Sequence, residues 1–360
     1  MANLVSFTPT QAEKQLPLVQ QYIAQAKSPT NCDLREDPNR RGRSGSQWTL
    51  EEVQAVRAVP LLHSDVTRIV PELYFPEDND DVYRSLELQL RVATIDDLKE
   101  YEPDNFDRNE YKPFFERLSE LCQTETSENT MERSHRRNTS AASVSSGITE
   151  LSTSSNENSG ENVSSAALQL FVSITVSNMK AWKFLNVIPA ANRKAPRLKL
   201  GAKHVRFNFT LGGVEHDTVN DGQILVDFPG THSHSDRGSL LSVASLECKP
   251  RNAGGLKRGS GEQEAFSPRV FAQEVAELIG AALAQHQSKL PIKHQDQEQF
   301  VIALHGTVFS ISAAYFPPEY FGYLQGRVTD RAEIFLWVRR SVYYDLKKPD
   351  DRIKALQVGP

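Results

Sequence analysis

Residues 221–249 constrain this chain more than any other stretch. They read as a hydrophobic run, Gln223–Phe228, a polar segment holding Pro229, Gly230, Asp236 and Gly238, and a second hydrophobic run, Leu240–Cys248. Two such runs separated by turn residues predict two paired strands. Side chains alternate faces along a strand, so Glu247 and Lys249 project from one face and Leu246 and Cys248 from the other. By the same parity Asp221 and Asp227 share a face of the first strand. Pairing then gathers two or three carboxylates and one ammonium at one end of a small sheet. Like charges that close repel unless a cation sits among them, and an oxygen-rich site suits a hard divalent ion such as Mg²⁺.

An Asp that opens one strand, followed by Glu247-Cys248-Lys249 on the next, resembles the PD-(D/E)XK nuclease superfamily, whose fold is restriction-endonuclease-like. The later run FVIALHGTVFSISAA is also similar to PD-(D/E)XK-like domains of fungal proteins, some of them fused to fungal-type protein kinases. No kinase signature occurs in this chain. Over about Ala166–Asp345 the resemblance implies an α/β (α+β) domain with a mixed β-sheet flanked by helices. It further implies Mg²⁺-dependent phosphodiester hydrolysis of nucleic acid. Asp221 and Glu247 would bind the metal, and Lys249 would orient or deprotonate water. Asp221 is the preferred first Asp because a hydrophobic strand follows it directly; Asp227 stands second, also as a metal ligand, and Asp236 third. In that family a helix follows the Glu-x-Lys strand and brings a polar residue, often Gln, to the site. Gln273, with Glu274 beside it, matches that position. An acidic residue on a helix before the core sheet is matched to Glu116. Asn220 stands where the family has Pro. A second alignment lays the fungal pattern Lys-x-Val-Asp-Phe over Lys203–Phe207, puts Arg206 in place of the metal-binding Asp, and implies an inactive relative that binds nucleic acid or protein.

Composition sets the wider frame. A chain of 360 residues with 39% hydrophobic content is long enough for two domains and too polar to be packed throughout. A net charge of −5 argues against a globally basic nucleic-acid coat. Local basic stretches are present at Arg193, Lys194, Arg197 and Lys199 and at Arg251, Lys257 and Arg258, and they are the candidate phosphate contacts. Three scattered cysteines, Cys32, Cys122 and Cys248, predict a reducing compartment without disulfides. No apolar run has the length of a signal peptide core or a membrane span, so the expectation is an intracellular protein, nuclear or cytoplasmic. His232 and His234 alternate on a polar loop and read as unliganded.

Four regions follow. Residues 1–123 read as helical, with helices at Thr10–Ala26, Thr49–Val59, Leu61–Leu73, Val82–Val92 and Asp107–Cys122. Residues 124–165 are rich in Ser, Thr, Asn and Glu and predict a disordered insert. Arg136-Arg137-Asn138-Thr139 within it suits a basophilic kinase, which makes a kinase or another protein a candidate partner. Residues 166–347 form the nuclease-like domain, where Pro268–Gln287 is the best helix and His204–Leu211 a half-buried strand. Residues 348–360 read as a tail.

Overall fold

The computed structural model describes residues 7–26, 43–70, 75, 80–124, 154–178, 197–227, 240–249, 266–287, 296–327 and 334–358. Its strands are β1 (Ala58–Leu61), β2 (Arg197–Gly201), β3 (Val205–Leu211), β4 (Val214–Asn220), β5 (Gly222–Asp227), β6 (Leu240–Lys249), β7 (Gln297–His305), β8 (Val308–Phe316), β9 (Leu336–Arg340) and β10 (Tyr344–Asp345). The main helices are α1 (Pro17–Ala26), α2 (Leu50–Ala55), α3 (Asp81–Arg91), α4 (residues 112–124), α5 (Ser154–Asn178), α6 (Pro268–Gln287), α7 (Pro318–Leu324) and α8 (Pro349–Val358).

The two runs around the polar segment pair as the sequence predicts, β5 antiparallel to β6. They lie inside one mixed sheet of order β1-β9-β8-β7-β6-β5-β2, with β10 attached to β8. β6 and β7 are parallel and α6 connects them, as a parallel pair requires a crossover. β3 and β4 form a separate hairpin. Gly212 and Gly213 turn it with φ of 53° and 86°, the left-handed values that a two-residue turn of this hand demands.

A hydrophobic core lies on each face of the sheet. On one face Leu246, Cys248, Ile302 and Leu304 pack against α3, α4, α5 and α8. On the other, Val301, Ala314 and Val338 pack against α6, α7 and α1, with Trp48, Phe207 and Phe209 closing over α6. Covered from both sides, α6 is buried from Val270 to Leu283. The hairpin comes so near that a Cβ on Gly280 would stand 2.9 Å from the Thr218 methyl, which is why only glycine fits there.

Several expectations are corrected. β1, within the region read as helical, is a fully buried parallel partner of β9, so residues 58–61 belong to the main sheet. Its partner lies at the other end of the chain, and no local pattern announces it. Leu61–Leu73 is not one helix: it holds the end of β1 and a short turn of helix, Val66–Ile69. α5 crosses the boundary drawn at residue 165, because Ser164, Ala167, Leu168, Phe171, Val172 and Thr175 bury one face of it. The reading of residues 125–153 lies outside the described residues. The tail is a helix anchored by buried Arg352, which donates to the carbonyls of Leu90, Ala93, Leu346 and Lys347. No helix among the described residues is long and apolar enough to cross a membrane.

Candidate active site

Asp221 stands at the corner between β4 and β5, and three contacts hold it there. Its N–H donates to the Leu246 carbonyl at 2.9 Å, its Oδ2 accepts from the Cys248 N–H at 2.7 Å, and its carbonyl accepts from Gln169 of α5 at 3.0 Å. Asn220 donates to Ser245 Oγ at 3.1 Å and accepts from the Val205 N–H at 3.1 Å. The corner is thereby tied to β3 and β6 together, and Asp221 faces the strand that carries Glu247 and Lys249.

On β6, Cys248 points into the α5 side of the core and is fully buried, while Glu247 and Lys249 share the opposite face. Lys249 Nζ lies 2.5 Å from Glu247 Oε1 and 3.3 Å from Glu161 Oε1 of α5. Gln273 of α6 donates its side-chain amide to the same Glu247 oxygen at 2.5 Å and to Glu277 Oε1 at 3.3 Å. His204, before β3, places Nδ1 at 3.3 Å from Asp221 Oδ1 and 3.2 Å from the Asn220 carbonyl. Since that carbonyl can only accept, Nδ1 carries the proton and Nε2 is directed elsewhere.

Burial dominates the electrostatics. It pushes Glu247 up to about 7, with the Asp221 charge adding to the effect and Lys249 opposing it. Burial likewise raises Asp221 above the ordinary carboxylate value, against the Cys248 N–H and Lys249, which favour the anion. Glu277 is held well above its ordinary value by burial and then by the Glu247 carboxylate. It lies within hydrogen-bond reach of Glu247, yet its Oε2 meets no donor. Burial thus favours the protonated form of both carboxyls. Burial alone would lower Lys249; Glu247, Glu161 and Asp221 outweigh it and hold the ammonium above the usual lysine value.

Four of the predicted site residues, Asp221, Glu247, Lys249 and Gln273, converge. Other expectations are corrected. Asp227 begins from the right parity but stands at the far end of β5, opposite Arg197 and Leu240, roughly 20 Å along the strand from Asp221 at about 3.3 Å per residue. It cannot share an ion with Glu247. Glu116 is exposed on α4 beside Tyr101, and the helix carboxylate that meets Lys249 is Glu161 of α5, at 3.3 Å. Arg206, the residue the second alignment puts in place of the metal-binding Asp, is exposed on the hairpin and pairs with Asp217 at 3.6 Å. Glu274 turns to Arg340 and Ser312 rather than to the cluster. Lys199 is exposed on β2, and Arg197 opens that strand. Arg193, Lys194, Arg251, Lys257, Arg258, Asp236, His232 and His234 lie outside the described residues.

Glu161 and Glu277 are the residues that sequence reasoning misses. Glu277 carries a signal, since it is four residues from Gln273 and so on the same helix face. Glu161 carries none, lying in a polar segment. Among the described residues no group of three or more His, Cys, Asp or Glu side chains is placed to hold a metal ion. No family model matches the chain, and no curated protein does.

Proposed function

We propose that the chain is a Mg²⁺-dependent hydrolase of nucleic-acid phosphodiester bonds, built on a restriction-endonuclease-like core. One observation carries this reading: Asp221 is held by the backbone of Cys248 at 2.7 Å, beside a Glu247–Lys249 pair at 2.5 Å. The order α5, β2, β5, β6, α6, β7 supports such a core, with β2, β5 and β6 antiparallel in turn and β7 parallel to β6.

The charge balance fits a divalent cation. Among the described residues four carboxyls, Asp221, Glu161, Glu247 and Glu277, gather around a single lysine, Lys249, with His204 beside Asp221. Mg²⁺ takes one or two protein carboxylates and fills its other positions with water and phosphate, so Asp221 and Glu247 suffice to hold it. When bound, the ion lowers the pKa of a coordinated water and offsets charge on the phosphate. Lys249, drawn between Glu247 and Glu161, orients the attacking water and stabilises its hydroxide form. Gln273 fixes the Glu247 carboxylate, and Cys248 with His204 fixes that of Asp221.

The test is to incubate the purified protein with plasmid DNA and with single-stranded DNA and RNA in Mg²⁺, beside Glu247→Ala and Lys249→Ala. Cleavage by the unaltered protein that both substitutions and a chelator abolish is the expected result. Binding without cleavage, unaffected by either substitution, overturns it in favour of a non-catalytic binding module.

A further inference from the structure

The reacting groups do not lie on an open surface. Glu247 is 2% exposed, Asp221 15%, Lys249 22% and Glu161 35%, and of these four Asp221 and Glu161 line the space beside them as its floor. Above Asp221 and Glu161 lies a cavity of about 410 Å³. One wall is the face of α5 that presents Asn162, Ser165 and Gln169; the other is His204, whose side chain is 70% exposed. Gln169 braces both walls, donating to the Asp221 carbonyl at 3.0 Å and to the Ala202 carbonyl at 3.4 Å.

The wall chemistry is specific in kind. The Asn162 amide, the Ser165 hydroxyl and the Gln169 side-chain carbonyl are polar groups suited to the edges of a base, and an exposed imidazole offers a ring on which a base can stack. Lys203, exposed and adjacent to His204 in the chain, is a cation beside the cavity. A phosphate flanking the bound nucleotide would meet Lys203, and the base would meet the polar wall. In a continuous duplex the base edges are paired and stacked. Bringing one of its phosphates down to this floor would require unstacking a nucleotide, a cost that a single strand does not bear.

We propose that the cavity between α5 and His204 receives one unpaired nucleotide, so that the site acts on single strands or unpaired ends rather than on the interior of a duplex. This rests on the phosphodiesterase reading above and deepens it. The substrate class is a nucleic-acid strand with an accessible base next to the scissile phosphate, and separate DNA and RNA arms of the test decide between the two sugars.

The experiment is fluorescence anisotropy of the full chain, without divalent metal, using labelled oligothymidine, labelled oligouridine and the DNA strand annealed to its complement. The expected result is binding of at least one single strand about tenfold or more tighter than the duplex. Asn162→Ala and His204→Ala, at exposed positions whose folding is checked by thermal melting, should each narrow that gap by weakening the strand and leaving the duplex unchanged. Duplex binding as tight as single-strand binding overturns the inference. If Mg²⁺-dependent cleavage of plasmid is then still seen, the phosphodiesterase reading survives without it. Binding of neither strand nor duplex, with no cleavage of either, removes both.

Discussion

Glu274 and Glu277 lie three residues apart on α6, both fully buried, and the fold meets them in opposite ways. Glu274 has both oxygens answered: Arg340 lies 2.9 Å from Oε1, and the Ser312 hydroxyl donates to Oε2 at 3.0 Å. Glu277 shares one amide of Gln273 with Glu247 and leaves Oε2 without a donor. Beside it the same imbalance continues, with Lys249 serving Glu247, Glu161 and Asp221. A buried carboxylate with a guanidinium and a hydroxyl serves the fold. Buried carboxyls that exceed their counter-charges cost stability, and the cation of the proposed site would offset that cost.

Removing the cation on each side should separate the two clusters most widely. Arg340→Ala strands the fully buried Glu274 and should lower the unfolding free energy by about 3–5 kcal/mol in chemical denaturation. Lys249→Ala strands Glu247, but that carboxyl titrates near 7 and takes up a proton instead. At about pH 6 the loss should be no more than about 1 kcal/mol, while cleavage falls by about 10²–10⁴-fold. Equal destabilisation by the two substitutions would break the comparison.

A smaller effect concerns the unanswered carboxyl itself. Both Glu247 and Glu277 are held above the ordinary value of 4.5 in the folded chain. Such groups contribute stability below that value and lose it as pH rises, for Glu247 through about 7. Metal-free Glu277→Gln should therefore match the unaltered protein below about pH 4.5 and exceed it by on the order of 1 kcal/mol at about pH 8. Melting curves across that range check the sign. A variant that is less stable at the alkaline end contradicts an excess of negative charge in the cluster.

What was legible in the sequence was local. The β5–β6 pair, the face shared by Glu247 and Lys249, the capping of α2 by Thr49, and the helix α6 each follow from local pattern, while Gln273 came from the resemblance alone. What was not legible depends on distance. β1 becomes a strand only by lying beside β9, across most of the chain. Glu161 enters the site through Lys249, 88 residues away, from a stretch whose Ser and Asn content hides the apolar face of α5. Asp227 shows the converse fault: strand parity gave its face, and the length of the strand, which parity ignores, placed it out of reach.

Calorimetric titration of Mg²⁺ into the unaltered protein, Asp221→Asn and Glu247→Gln tests most directly whether these carboxylates hold the ion. Saturable binding to the unaltered chain that either substitution removes is the predicted result. Absence of binding to any of the three, or equal binding to all, would contradict it.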